Sequence, residues 1–184
     1  MPAGPTTEAP RRGPDVLVGG VGQLYQGDLD LGRHAIEALA GEDLGHGVRV
    51  EDLHYGAVAV VQRLQELRPA ALILVGAAQR GRAPGSVHRR SIEGVDLPPS
   101  ELQRAVGEAV TGYVTVDLLV EVAFALEALP SRTVIIEAEP VLQGPGEHLS
   151  PPVAAALGEV TGLVLAEVTS LEEELAAAER RVAG

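Results

Sequence analysis

The side chains that could do chemistry in this sequence follow short apolar runs. Asp28 and Asp30 lie in the glycine-rich stretch "GGVGQLYQGDLD", which comes directly after the run "DVLV". His54 follows "VRVEDL", and Glu137 and Glu139 lie at the end of "TVIIEAEP". The acids suit a cation or a basic peptide as a ligand, and together with the imidazole they could form one site.

Each of these residues also has a structural interpretation, which the sequence favours. Asp28 is interpreted as the N-cap of the helix that follows it, and Asp30 gains from the dipole at the first turn of that helix. His54 is interpreted as a loop histidine bonded to backbone, and the two glutamates as a solvated strand end. A joint site built from Asp28, Asp30, His54 and Glu137 or Glu139 is the alternative.

Composition and motif spacing exclude several classes of protein. The spacing G-G-x-G-x-x-x-x-G is not that of a dinucleotide loop, and the two aspartates would repel a pyrophosphate. The net charge of −12 argues against nucleic-acid binding. The chain has no lysine for a Schiff base or a Walker loop, no cysteine for a disulfide or thiolate, and no G-x-S-x-G elbow. No two histidines have helical metal-ligand spacing.

The apolar runs alternate with segments of helical periodicity. The sequence predicts strands at residues 15–20, at "VRVEDL", at residues 70–78, at "RTVIIEAEP" and, on a sheet edge, at "GSVHRRSI". Residues 70–78 form the most hydrophobic run and are expected at the sheet centre. With helices between the strands, the prediction is an α/β fold of three layers, a mostly parallel twisted sheet flanked by helices.

We expect the functional site at the carboxyl edge of the predicted sheet, because ligands of parallel sheets bind there. That edge would carry the acidic loop, residues 76–79, residues 137–140 and the start of the helix near Tyr113. Residues 15–184 are expected to form one domain after a disordered tail at 1–14. The tail lacks the apolar region of a secretory signal, no apolar run reaches membrane-spanning length, and a cytoplasmic location is expected.

The order of motifs resembles that of the hydrogenase maturation endopeptidases, which clip the C-terminal extension of the [NiFe]-hydrogenase large subunit after nickel insertion. "GVGQLYQGDLDLGRHAIEAL" is similar to the family's G-x-G-N loop, acidic pair and helix. "LHYGAVAVVQRL" is similar to its D-G-G-T helix start, and "ALILVGAAQRGRAPGSVHRR" to its strand ending in Asp-Ala followed by a P-G-T/S strand. "VDLLVEVAFALEALP" and "IIEAEPVLQGPGEHLSPPVAAAL" resemble its last two segments. The resemblance implies a phosphorylase-like α/β fold over nearly the whole chain.

The three positions at which the family surrounds nickel carry other residues here. By the resemblance, the acidic position of the first loop falls on Leu29, the strand-end Asp on Gly76 and the His on Thr115. Gln23 matches the family's asparagine, and His54 matches the Asp of D-G-G-T. No metal or cofactor of its own is therefore expected, and the nickel would be that of the client.

The resemblance leaves three functions open. The chain could be a maturation protease that acts on a hydrogenase large-subunit precursor with a degenerate nickel-sensing site. It could be a catalytically silent binding or chaperone-like module for that precursor or another client, or a small-molecule enzyme on the same fold. The pocket candidates are Gln23, Asp28, Asp30, His54, Glu137 and Glu139. The basic loop "QRGRAPGSVHRR" either contacts an acidic client surface or is a solvated loop.

Overall fold

The computed structural model describes residues 13–182, without the side chains of Thr111 and Val182. The tail predicted at 1–14 therefore lies almost wholly outside the described residues. The strands are β1 (Val16–Gly20), β2 (Val48–Asp52), β3 (Ala71–Ala77), β4 (Val87–Ile92) and β5 (Arg132–Ala138). The helices are α1 (Leu31–Leu39), α2 (Ala57–Leu67), α3 (Pro99–Glu108), α4 (Val116–Ala125) and α5 (Pro151–Val182).

The five strands form one sheet in the order β2-β1-β3-β5-β4. All neighbouring strands are parallel except β4, which lies antiparallel to β5 at one edge. The predicted α/β class, the central place of β3 and the edge place of "VHRRSI" are confirmed. The chain passes from β1 outward to β2 and then returns to the other side of β1, so the carboxyl ends of β1 and β3 form the topological switch point.

Helices cover both faces of the sheet, because side chains along each strand alternate between the two sides. On one side Leu17, Leu72 and Ile135 pack against α2, α3 and α4. On the other side Val18 and Ile73 pack against α1 and α5. The sheet is thus buried from both sides, which is why its strands read as continuous apolar runs.

Small residues bring β1 and α1 into close contact. A Cβ atom at Gly20 would lie 2.5 Å from the backbone oxygen of Gly32. Farther along, α2 ends as expected before Pro69, because Arg68 adopts the left-handed conformation with φ 46°. These local features fix where the loops at the carboxyl edge begin.

The expectation that no apolar run has membrane-spanning length is wrong for α5. Residues Pro151–Arg181 form a helix that is long and apolar enough to cross a membrane, with a mean hydropathy of 1.4 over its best window, and 33% of that window is buried. The helix packs on the sheet through Val160, Val164 and Val168, as a core helix does.

Candidate functional site

The acidic loop between β1 and α1 lies at the carboxyl edge, as predicted, but its acids face inward. Asp28 is fully buried within the 3-10 helix Gly27–Asp30. Its carboxylate accepts hydrogen bonds from the backbone N–H groups of Val141 at 2.7 Å, Leu142 at 2.8 Å and Ser150 at 2.6 Å, and from the Ser150 hydroxyl. The N-cap interpretation of Asp28 is therefore wrong, because its side chain fastens the loop after β5 and the start of α5.

Burial and hydrogen bonding act in opposite directions on the Asp28 carboxyl. Burial raises its pKa, whereas the hydrogen bonds from Leu142, Ser150 and Val141 lower it, and the net pKa lies below the ordinary value. The group is ionised and its lone pairs are occupied by the protein's own donors. Asp28 therefore has little capacity left for a metal ion.

Asp30 occupies the N-cap position of α1 without capping it through its side chain. Its Oδ2 atom accepts from the Arg33 guanidinium, with Nε at 2.9 Å, and from the backbone N–H of Tyr25 at 3.2 Å. The guanidinium of Arg33 also lies 5.5 Å from the centre of the Tyr25 ring. Asp30 thus shapes the tip of the loop through a salt bridge one helical turn away.

Glu137 is fully buried at the end of β5, so the interpretation of a solvated strand end is wrong. Arg80 donates to both of its oxygens, through Nε at 3.0 Å and Nη2 at 2.9 Å. Arg82 donates at 3.0 Å and Arg90 at 3.4 Å. Burial raises the pKa of Glu137, but the hydrogen bonds and charge of these arginines outweigh it and leave the pKa below its usual range.

Two of the three arginines around Glu137 also bind Asp117, in the first turn of α4. Arg80 donates to both Asp117 oxygens at 2.8 Å, and Arg90 donates to Oδ1 at 2.7 Å. The sequence analysis did not single out Asp117 or these arginines. No local motif marks them, since the partners are separated by between 27 and 57 positions in the chain.

Glu139 is also buried rather than solvated. Its carboxylate accepts from the backbone N–H groups of Arg80, at 2.8 Å, and Gly81, at 3.0 Å. Burial raises its pKa, but these backbone hydrogen bonds lower it further, so the net pKa is below the ordinary value. The predicted basic loop is therefore fastened to the carboxyl end of β5, and four of its arginines are paired with acids of the same chain, namely Arg80, Arg82, Arg89 and Arg90.

The positions matched to the family's nickel ligands offer almost no donor atoms. Leu29 has a hydrocarbon side chain, and its backbone oxygen accepts the N–H of Gln23 at 3.0 Å. Thr115 is the N-cap of α4, and its hydroxyl oxygen accepts the N–H of Leu118 at 3.1 Å. A Cβ atom at Gly76 would lie 2.7 Å from the Val21 carbonyl oxygen. These residues do not fit a nickel ion, which prefers nitrogen, sulfur or carboxylate ligands.

The acids predicted as an alternative joint site are held apart by their own partners. Within residues 13–182 no group of three or more histidine, aspartate or glutamate side chains is arranged to hold a metal ion. Asp28 faces the loop after β5, Asp30 faces Arg33, and Glu137 faces Arg80. The chemistry of this edge is therefore that of internal ion pairs.

His54 lies elsewhere on the same edge, with Gln23, in a pocket of about 310 Å³. The other lining residues are Gly22, Leu24, Gly112 and Tyr113. His54 Nδ1 is 2.8 Å from Asp52 Oδ1, yet neither of these buried atoms has a hydrogen-bond partner in the described part of the chain. The Nδ1 atom therefore makes no backbone hydrogen bond within the described residues. The D-x-H spacing could have indicated the pair, because residues two apart at a strand end share a face.

Exposed apolar side chains are concentrated at the carboxyl edge of the sheet. All three tyrosines of the chain lie in loops at the carboxyl edge, and they are exposed at 56% for Tyr25, 46% for Tyr55 and 63% for Tyr113. Of the eight exposed large hydrophobic side chains among the described residues, six lie at this edge, the other three being Val110, Val141 and Leu142. Such a concentration is typical of a protein-binding surface.

The α/β fold with its carboxyl-edge loops is similar to that of several solved structures. The hydrogenase maturating endopeptidase HybD from E. coli is 22% identical with a TM-score of 0.64, over 84% of this chain and 92% of that one. An endopeptidase from Escherichia coli is 25% identical with a TM-score of 0.60, over 82% and 90%. A hydrogenase 2 maturation peptidase from Thaumarchaeota archaeon SCGC_AB-539-E09 is 22% identical with a TM-score of 0.59, over 83% and 97%.

This chain has the fold of the hydrogenase maturation peptidases, so the resemblance found in the sequence is confirmed at the level of the fold. No protein-family model matches the sequence, and no curated protein matches it significantly.

Proposed function

We propose that this chain is a hydrogenase maturation protease-like protein that binds a [NiFe]-hydrogenase large-subunit precursor and has a degenerate nickel-sensing site. The fold shared with the maturation peptidases supports the choice of client. The packing at Gly76 carries the proposal of degeneracy, because Val21 and Val116 fill the space that an aspartate side chain would need. A cytoplasmic location is part of the same proposal.

The client-binding surface of this proposal is the apolar rim of the carboxyl edge, defined as Tyr25, Tyr55, Val110 and Tyr113. Tyr25 and Tyr113 belong to the loops that carry Leu29 and Thr115, two positions that the resemblance matches to the family's nickel ligands. The neighbouring arginines are paired internally, so apolar contacts rather than a free basic loop would supply most of the binding energy. Aromatic side chains are the residues that most often dominate such interfaces.

The experiment mixes the purified chain with a nickel-loaded large-subunit precursor and measures both complex formation and precursor mass. We expect a complex that contains the intact precursor. Loss of the precursor's tail would contradict the degenerate site, and the absence of a complex would contradict the choice of client. The same mixture with the precursor before nickel insertion is expected to give equal affinity, since no ligand for nickel is offered.

Substitution of a rim aromatic tests where the client binds. Tyr113→Ala is expected to weaken the complex by about 5-fold or more, since interface aromatics commonly contribute over ~1 kcal/mol. Phe124→Ala is the matched control, because Phe124 is also exposed but lies at the far end of α4. Equal affinities of the two variants, measured by calorimetric titration, would place the interface elsewhere.

A further inference from the structure

Strand β4 leaves one edge of the sheet open. It pairs with β5 on one side, and no other strand of residues 13–182 pairs with its outer edge. The Glu139 N–H donates to the Ser86 carbonyl oxygen just before β4 begins. Because backbone groups alternate in direction along an antiparallel ladder, the N–H and C=O groups of Val87, Arg89 and Ser91 point away from β5. Such a row of backbone groups is a template for an added strand.

The charges of β4 do not protect this edge. Free charged side chains on an edge strand ordinarily discourage the addition of another strand. Arg89, however, donates to both oxygens of Glu167, at 2.7 and 2.8 Å, and Arg90 donates to Asp117 at 2.7 Å. The two guanidinium groups are therefore already neutralised by acids of the same chain.

A cavity of about 290 Å³ lies beside the same edge, since Arg90 and Ile92 of β4 form part of its lining. The remaining lining consists of apolar residues and acids, namely Gly94, Val95, Leu97, Val120, Asp96, Asp117 and Glu121. Apolar walls with carboxylates beside them suit the long side chain of lysine or arginine, whose stem is apolar and whose end is charged.

Two of the acids in this lining have no cation bound to them. Within the described residues, Asp96 and Glu121 form neither a hydrogen bond nor a salt bridge. Burial raises the pKa of Glu121, and the negative charge of Asp117 raises it further, against the charge of Arg104. The cavity therefore has unpaired negative charge, which favours a basic occupant.

We propose that the outer edge of β4 binds an extended peptide segment of a partner protein, with apolar residues at alternate positions and one lysine or arginine for the cavity. The segment adds as an antiparallel sixth strand. A second copy of this chain is disfavoured, because pairing β4 with β4 would bring Arg89 and Arg90 of both copies together. This edge is separate from the apolar rim, so the proposal does not depend on the hydrogenase client.

The test titrates the purified full chain into a rhodamine-labelled peptide with blocked ends, Thr-Arg-Thr-Val-Thr-Val-Thr, and follows fluorescence anisotropy. We expect saturable binding that becomes about 10-fold weaker when glutamate replaces the arginine, since like charges then meet. Absence of binding, or equal affinity of the two peptides, would overturn the proposal.

Glu121→Gln tests the role of the cavity. We expect it to weaken binding of the arginine peptide by about 3-fold, as the loss of one partly exposed ion pair does. Glu159→Gln is the matched control, because it makes the same change of charge at an exposed position of α5. An equal effect of the two variants would show that net charge alone attracts the peptide and would overturn the proposal.

Ser91→Pro tests the addition of a strand, because it removes an outward N–H that β5 does not use. We expect a loss of about 10-fold or more in affinity, whereas Ser91→Ala keeps the N–H and should bind normally. Two peptides N-methylated at alternate residues, in the two possible phases, make the same test on the unchanged protein. One phase should lose binding and the other keep it, and equal binding of both would overturn the proposal.

Two controls separate this edge from other interfaces. Tyr113→Ala, which tests the apolar rim, is expected to leave peptide binding unchanged, so failure of the client hypothesis and failure of this proposal are distinguishable. Sedimentation of the chain alone is expected to show a monomer. A dimer that Ser91→Pro abolishes would identify a second copy as the occupant and would overturn the choice of a basic peptide.

Discussion

Glu137 is a buried charge at the carboxyl edge that is neutralised by arginines. Three guanidinium groups surround one carboxylate that has no solvent exposure, and two of the three also reach Asp117. A buried carboxylate is tolerated only when it is paired and its lone pairs are satisfied. The positive charge that pairs with the Glu137 carboxylate therefore comes from arginines of the same chain.

Removal of the Glu137 carboxylate is expected to destabilise the fold strongly. Glu137→Ala would leave three arginines without their shared partner, at a cost of about 3 kcal/mol in unfolding free energy, as for other broken buried pairs. Glu174→Ala is the control, since its pair with Arg132 is exposed and is worth about 0–1 kcal/mol. Urea unfolding measures both, and equal losses would show that the network at β5 adds nothing.

Asp28 gives a prediction with a defined pH dependence. Because its folded pKa is depressed, its contribution is fully present above the ordinary aspartate value of about 3.9 and is lost as pH falls through the folded pKa. Asp28→Asn should therefore cost about 2 kcal/mol at neutral pH, since hydrogen bonds to a charged group are lost, and less at an acid pH below the folded pKa.

The control for Asp28 is an aspartate of the same charge in an exposed loop. Asp43 accepts one N–H bond from Gly45 at 3.1 Å, so Asp43→Asn is expected to change stability by less than about 0.5 kcal/mol. Chemical denaturation of both variants at neutral pH and at acid pH measures these differences in stability. If the loss of unfolding free energy in Asp28→Asn does not change with pH, the charge of the Asp28 carboxylate does not stabilise the loop.

Strand β3 cannot regain the strand-end acid expected from the resemblance by substitution alone. In Gly76→Asp the new side chain would press on the Val21 carbonyl and on Val116, and such overpacking costs about 1–3 kcal/mol. Gly158→Ala in α5 is the opposite case, because nothing lies within 4 Å of the added methyl, and it should stabilise by about 0.5–1 kcal/mol. Thermal unfolding that ranks the two variants otherwise would contradict this account of β3.

The sequence predicted the elements well and the partners of their side chains poorly. The strands could be predicted because continuous apolar runs between turn residues are the signature of a sheet buried on both faces. Helix α3 was not located individually, since it buries only Ala105 and its pattern is mostly polar. Asp28 was misassigned because capping is a local rule, whereas its actual donors lie more than 110 positions away.

The site shows the same limit of prediction. His54 and Gln23 could be placed at the carboxyl edge from strand order alone, and they do share a pocket. Glu137 is paired with arginines rather than exposed to solvent because the loop after β3 folds back over it. The pattern of apolar residues in the sequence does not predict that loop conformation. Long-range charge pairing therefore needs the coordinates.

The molecule as a whole is expected to be acid-labile. Carboxylates whose pKa is depressed form ion pairs between separate elements. Glu51 of β2 pairs with Arg63 of α2. Asp117 of α4 and Glu137 of β5 both pair with Arg80 and Arg90. Their contribution is present above the ordinary carboxyl range of about 4 and is lost as pH falls through the folded values. As the pH falls from neutral toward the isoelectric point near 4.8, the net charge of −12 decreases and so does its self-repulsion. This stabilising effect opposes the loss of the ion pairs only over that pH range.

Circular dichroism melts over a pH series test this expectation. Tm should vary little between neutral pH and about pH 5 and fall steeply below about pH 4. A Tm that stays level down to about pH 3 would show that these ion pairs do not hold the elements together. Salt should reduce the contribution of the exposed pairs and leave that of Glu137 largely unchanged.

The antiparallel edge strand has a consequence for how the protein is made. Among the described strands, β4 pairs with β5 alone, whose residues are translated about 40 positions later, and the valines of α5 that cover the same face come later still. A nascent chain on the ribosome must therefore carry "VHRRSI" unpaired for some seconds. The adjacent arginines of that segment keep it hydrated and discourage pairing with other chains until its partner emerges.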